Sequence, residues 1–192
     1  MEATEAPLLQ AALEARISIG RDRNGRLVPV VHCRTASEGC ERRLAYFADY
    51  LISASQTQKL DTWLIAAIAL KESGLNPFAR GSVGELGILQ INPNRRDASR
   101  VRFMRDPAYR EQCRRLPGAC QREIVFHAAH VLREAMTMCR SNLVDALGAY
   151  NTGRCGGNDA YADRVLRERS DLLRAVGLDP VVLAHAAAPS RS

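Results

Sequence analysis

Apolar residues recur along most of the chain at helical rather than strand spacing. Leu44, Phe47, Ala48, Leu51 and Ile52 fall at i, i+3, i+4, i+7 and i+8, which predicts a first core helix. The run "WLIAAIAL", residues 63–70, is the longest apolar stretch, and Asp61 just ahead of it is a good N-cap. The resulting helix, "TWLIAAIALKES", is stopped by Gly74 and Pro77. Being apolar nearly all round, it belongs at the centre of a fold, with Trp63 packed in the core. Residues 121–139 carry two adjacent apolar stripes, Ile124/Ala128/Val131/Ala135 and Val125/Ala129/Leu132/Met136, the pattern of a long helix lying over a broad face. "NLVDALGAYN" and "AYADRVLRERSDLLRAV" predict two further helices, separated by the loop "TGRCGGN".

Elsewhere the periodicity breaks. Residues 1–36 read as an N-terminal extension, with a short helix near "LLQAALEA". Asn24-Gly25 between two short apolar stretches then predicts a β-hairpin, and Pro29 makes its second strand an edge. Residues 74–100, rich in Gly, Asn, Pro and Ser, predict an irregular segment around the apolar core "LGILQI". The tail, ending "AHAAAPSRS", predicts disorder. The expectation is a mainly α protein: one helical domain over 37–176, an extension over 1–36 and a tail over 177–192.

A length of 192 residues suits one domain with a real core. No apolar run approaches the roughly 20 residues of a bilayer span, which excludes a transmembrane helix. The net charge of +6 is almost wholly arginine, since Lys59 and Lys71 are the sole lysines among 27 basic residues. That excess favours an anionic partner without choosing between nucleic acid, membrane surface and acidic glycan polymer. Six cysteines, Cys33, Cys40, Cys113, Cys120, Cys139 and Cys155, allow many pairings. Two pairs share the spacing C-x6-C around small or polar loop residues, so local pairing predicts Cys33–Cys40 and Cys113–Cys120 and leaves Cys139–Cys155. Zinc is the rival reading, but neither C-x2-C nor H-x3-H spacing occurs. Disulfides imply an oxidising compartment. Yet "MEATEAPLLQ" has neither the basic nor the apolar region of a secretion signal, so the expectation is a signal already removed or another export route.

Glu72 is the residue that asks for chemistry. It is the sole carboxylate between Trp63 and Pro77 and falls in the last turn of the apolar helix. The negative end of the helix dipole and an apolar surround both disfavour ionisation, which suits a general acid holding its proton near neutrality. The bland alternative is a solvated glutamate at a helix end.

The surrounding string decides between them. "ESGLNPFARGSVGELGILQINP" resembles the signature of the soluble lytic transglycosylase (SLT) domain in the goose-type lysozyme superfamily, E-S-x-x-N-P-x-A followed by a glycine-rich step into G-L-M-Q. The matching residues are Glu72-Ser73, Asn76-Pro77, Ala79, Gly84 and Gly87-Ile88-Leu89-Gln90. The family's A-Y-N-x-G element is similar to Ala149-Tyr150-Asn151-Thr152-Gly153, and its later Tyr and Val to Tyr161 and Val165. Linked motifs in order are far more specific than any one alone.

The resemblance implies a lysozyme-like helical domain that cuts the β-1,4 bond between N-acetylmuramic acid (MurNAc) and N-acetylglucosamine (GlcNAc) in peptidoglycan glycan strands. Glu72 would protonate the leaving oxygen and then take the proton of the muramic C6 hydroxyl, leaving a 1,6-anhydro end. An intramolecular hydroxyl held near the reacting carbon needs one acid/base residue, whereas ordinary hydrolysis needs a second carboxylate. Ser73, Gln90, Tyr150, Asn151 and Tyr161 are the candidate substrate-binding residues; the amides suit N-acetyl groups and sugar hydroxyls, and the tyrosines suit orienting Glu72 or lining the cleft. The implied setting is periplasmic or extracellular, without cofactor or metal, and with an envelope or virion assembly as a further partner class.

Two features leave room for alternatives. Where goose-type lysozymes tend to carry Asp after the Q-[VI] step, this chain has Asn92, so Glu85 and Asp97 are the nearest candidates for a second carboxylate. If either activates water, the enzyme is a goose-type lysozyme; a catalytically silent wall-binding module is the non-enzymatic alternative. Glu123, His127, His130 and Glu134 line one helical stripe that resembles a metal face, but with no outside ligand in view a solvated polar face is the reading adopted. Eight arginines crowd residues 95–115, with Phe103 and Tyr109 as stacking partners for a nucleic acid. Three acids lie among them and peptidoglycan peptides carry carboxylates, so a wall-facing surface is expected rather than nucleic-acid binding.

Overall fold

The central helix of the computed structural model, Thr62–Ser73, is enclosed along most of its length: Leu64, Ile65, Ala66, Ala67, Ile68 and Ala69 are all buried. Each of its larger aliphatic side chains contributes about 1.5–3 kcal/mol by leaving water. Residues 5–17, 20–21, 27–28, 39–95 and 97–180 are described. Among them the α-helices are, in chain order, α1 (Glu5–Ile17), α2 (Cys40–Gln58), α3 (Thr62–Ser73), α4 (Arg102–Arg105), α5 (Pro107–Gln112), α6 (Arg122–Met138), α7 (Leu143–Thr152) and α8 (Asp159–Ala175). Single 3-10 turns occupy Ala98–Arg100 and Ala119–Gln121.

The ends of α3 are fixed as its sequence demands. Asp61 accepts a hydrogen bond from the Trp63 amide at 2.9 Å and also from Arg169 Nε of α8 at 2.5 Å, so one carboxylate caps α3 and ties it to α8. At the other end Gly74 takes the left-handed conformation, φ 60°, and its amide closes on the Leu70 carbonyl at 2.8 Å. Trp63 is 8% exposed, in the core.

The helix foreseen in the extension is α1, and it shares the main core. Leu9, Ala12, Leu13 and Ile17 pack with residues of α2, α3 and α8, and Arg16 pairs with Glu168 at 2.6 Å. Gly20–Arg21 (β1) and Leu27–Val28 (β2) pair antiparallel, Gly20 opposite Val28 and Arg21 opposite Leu27. Asn24, Gly25, Pro29, Cys33 and the tail from residue 181 lie outside the described residues.

The α6 stripes are buried as the spacing predicts, with Ile124, Val125, Ala128, Ala129, Val131, Leu132 and Ala135 inside. On its other side α6 closes α2: Arg133 donates to the carbonyls of Gln58, at 2.6 Å, and Lys59. A guanidinium there satisfies carbonyls that no helical amide can reach. Cys113 and Cys120 are bonded, as are Cys139 and Cys155; Cys40 is also disulfide-bonded.

The arginine-rich segment is short-range structure rather than a uniform patch. Arg110 donates to the carbonyls of Phe103 and Met104 at 2.7 and 2.8 Å, Arg102 lies over the Tyr109 ring at 4.2 Å, and Arg114 pairs with Glu111 at 2.8 Å. Phe103 is buried, so it is no stacking platform, which corrects the role considered for it.

Candidate active site

Glu72 emerges half-buried from the last turn of α3. Its Oε1 accepts a hydrogen bond from Tyr161 Oη at 2.5 Å. Burial pushes the Glu72 carboxyl above the ordinary carboxylate range; the Tyr161 bond and Lys71 pull the other way, while Glu85 adds to the rise. Tyr161 is 3% exposed near the start of α8, where Asn158 Oδ1 caps its amide at 3.0 Å. Burial and the neighbouring Glu72 hold the Tyr161 hydroxyl in its protonated form, so it is a donor of fixed direction.

The irregular segment 79–92 forms the facing wall. Leu86 bridges both Arg80 and Ile91, and Leu86, Ile88, Leu89 and Ile91 turn inward. Gly87 is required where it stands: φ is 79°, and a Cβ would lie 2.8 Å from Gln121 Oε1. That same oxygen accepts the Ile88 amide at 3.1 Å, so buried Gln121 anchors the segment from below. Tyr150 Oη donates to the Leu89 carbonyl at 2.9 Å, and Gln90 Nε2 donates to the carbonyls of Gly87 and Ala79 at 2.8 and 3.1 Å.

Between α3, this segment and the end of α7 lies a cleft of about 380 Å³. Glu72, Glu85, Gln90, Asn92, Tyr150 and Asn151 line it, joined by Arg95, Val131 and the Thr152-Gly153 step. A volume in the ~300–1,000 Å³ range is usual for a ligand cleft. Glu85 Oε2 accepts the Val83 amide at 3.1 Å, so the carboxylate that shares the cleft with Glu72 is tied to its own loop. Asn92 Oδ1 accepts the Asn94 amide at 2.8 Å.

Candidates from the sequence therefore separate. Gln90, Tyr150 and Asn151 join Glu72 in the cleft; the first two also hold its wall. Tyr161 touches Glu72 itself. Ser73 is not among the cleft-lining residues, and its hydroxyl donates to the Ile88 carbonyl at 2.8 Å, a contact that holds the loop. Of the two candidate second carboxylates, Glu85 lines the cleft and Asp97 lines a neighbouring hollow with His127, His130 and Glu134. Arg95 and Gln121 were not foreseen individually. Arg95 stood hidden among eight arginines, and nothing in the local pattern distinguishes Gln121.

A helical domain with a half-buried acid, Glu72, at the end of a central helix beside an open cleft is the lysozyme-like arrangement. The family model "Transglycosylase SLT domain" matches residues 49–165, more than half of the chain, and the chain belongs to that family. At family level this is lytic transglycosylase-type activity directed at peptidoglycan. The comparison with solved structures returns no match.

Proposed function

We propose that the chain cleaves the MurNAc-β-1,4-GlcNAc bond of glycan strands and leaves 1,6-anhydromuramic ends. The observation that supports this reading is the setting of Glu72: burial holds it above the usual carboxylate range and Tyr161 orients it, whereas Glu85, the other carboxylate of the cleft, bonds its own loop. A raised pKa favours the protonated carboxyl, which can protonate the glycosidic oxygen as the C1–O bond breaks. The carboxylate so formed then accepts the proton of the muramic C6 hydroxyl while O6 bonds to C1. The proton balance closes on Glu72 alone, and no water is consumed. Gln90, Asn151 and Asn92 offer amide groups along the cleft for the sugar substituents. The disulfides favour an oxidising compartment, in keeping with a periplasmic or extracellular substrate. No helix among the described residues is long and apolar enough to cross a membrane.

Glu85 sustains the second reading, hydrolysis as in goose-type lysozyme, because it shares the cleft with Glu72. Mass analysis of muropeptides released from purified sacculi separates the two. Transglycosylase products are lighter by one water than lysozyme products and resist borohydride, and Glu85→Gln should retain most of the rate. Reducible ends together with a large loss in Glu85→Gln would make Glu85 the base for water and retire the anhydro mechanism.

A further inference from the structure

Beside the cleft is a hollow of about 560 Å³ that the proposed reaction does not use. His130 and Glu134, one turn apart on α6, share a face there, and Asp97 reaches it from the segment before the Ala98–Arg100 turn. One ligand atom from each of Asp97, His130 and Glu134 lies within 4.8 Å of the other two. His130 Nε2 and Glu134 Oε1 are 3.4 Å apart, matching the ~3.4 Å ligand–ligand edge of a tetrahedral site with bonds of ~2.1 Å. The outside ligand that the helical stripe alone could not name is Asp97.

A second observation points into the same place. The His127 side chain is only 9% exposed, and its Nε2 is shut off from solvent without a hydrogen-bond partner, 3.7 Å from Asp97 Oδ2. A buried imidazole nitrogen left unsatisfied is costly. A small movement of Asp97 toward a cation, with His127 behind it, would give the carboxylate the outer hydrogen bond that metal ligands usually have. Two guanidiniums, Arg95 and Arg100, also line the hollow; Arg95 holds the acids loosely, at 3.6 Å from Asp97 and 3.4 Å from Glu134, and its own Nε has no hydrogen bond among the described residues.

We propose that Asp97, His130 and Glu134 bind one divalent transition-metal ion of the zinc type, with His127 positioning Asp97 and the ion displacing Arg95. An imidazole with two carboxylates is a donor set that suits zinc better than magnesium, which prefers oxygen ligands alone. Because Arg95 also lines the cleft, occupancy frees its guanidinium from Asp97 and Glu134 on the wall the two hollows share. The site depends neither on Glu72 nor on glycan cleavage.

Calorimetric titration and thermal unfolding of the full-length, disulfide-bonded, tag-free chain with zinc chloride test the proposal. One ion should bind per chain, and free zinc at ~100 times Kd should raise Tm by about 5–10 °C. His130→Ala and Glu134→Gln should each weaken binding by about tenfold or more, and His127→Ala by about 10- to 100-fold. Arg95→Gln should tighten binding by removing the competing cation. His130 and Glu134 are half exposed, so their zinc-free variants should unfold at the parent's temperature. Absence of saturable binding, or an equal response to magnesium, would overturn the assignment. So would full affinity in His130→Ala and Glu134→Gln, which would put the ion elsewhere on the chain; weaker binding in Arg95→Gln would overturn the displacement of that residue.

Discussion

Replacing Cys139 and Cys155 together by alanine removes the bridge that pins the loop after α7 to the end of α6. The bond spans a sequence separation of 16 residues, and closing a loop of that size removes about 3 kcal/mol of chain entropy from the unfolded state. For a domain of this length each kcal/mol is worth ~2–4 °C, so Tm should fall by about 6–12 °C. The consequence for activity follows from place. Tyr150, Asn151, Thr152 and Gly153 line the cleft within a few residues of Cys155, and Ala149 packs with buried Cys139. Loosening this corner should raise KM for sacculi and lower kcat. The Cys113–Cys120 bridge is the control, with a separation of 7 residues and cysteines that do not line the cleft. Its double alanine variant should lose about 2 kcal/mol and retain kcat/KM within about twofold. Thermal unfolding in one buffer and the release of soluble muropeptides read both effects. A Cys139/Cys155 variant melting within about 2 °C of the parent would refute the stability estimate. Activity lost in the control and kept in the other variant would refute the positional reasoning.

Tyr161→Phe removes the hydroxyl donor from Glu72, a charge-assisted bond worth about 1.5–3 kcal/mol. That bond favours the ionised carboxyl, so its loss should raise the Glu72 pKa further and move the high-pH limb of the rate profile upward, with a lower maximum rate; a limb that stays or moves down would contradict this. Because the folded-state pKa of Glu72 lies above its ordinary 4.5, its contribution to stability is complete below that pH and is lost as pH rises through the raised value. Glu72→Gln should therefore gain stability relative to the parent as pH rises above about 4.5, and urea midpoints that converge or cross the other way would count against it. Asp61→Ala should destabilise by more than the ~1 kcal/mol of an ordinary cap, since Arg169, its side chain 12% exposed, also loses its partner. A loss at or below that figure in urea unfolding would show the pair to be inert.

The parts of this fold written in short-range pattern are legible in the amino-acid sequence. Asp61, the apolar run and Gly74 specify α3 by themselves, and the two stripes of α6 are buried where their spacing puts them. Glu72 was legible for the same reason, as an acid at the end of a helix with no polar face. Roles that depend on which carbonyl a side chain reaches across the fold were not. The Ser73 hydroxyl meets Ile88, fifteen residues away, and the Tyr150 hydroxyl, at the cleft, meets Leu89, sixty-one away, so both hold the loop through contacts that no local pattern encodes. Gln121 is buried beneath the turn at Gly87, where its Oε1 accepts the Ile88 amide across 33 residues of sequence. Asp97 meets the histidine stripe through the path of the segment around Ala98–Arg100, which no periodicity encodes.

The central claim is that Glu72 is the acid and the base of a cleavage that needs no second carboxylate. Its most direct test is the rate of muropeptide release from sacculi by Glu72→Gln, measured beside its thermal unfolding. The amide keeps the shape of the side chain and cannot give up and regain a proton, so the rate should fall by about 10²–10⁴-fold while unfolding stays cooperative. A cooperatively folded Glu72→Gln that releases muropeptides at nearly the parent rate would contradict the account.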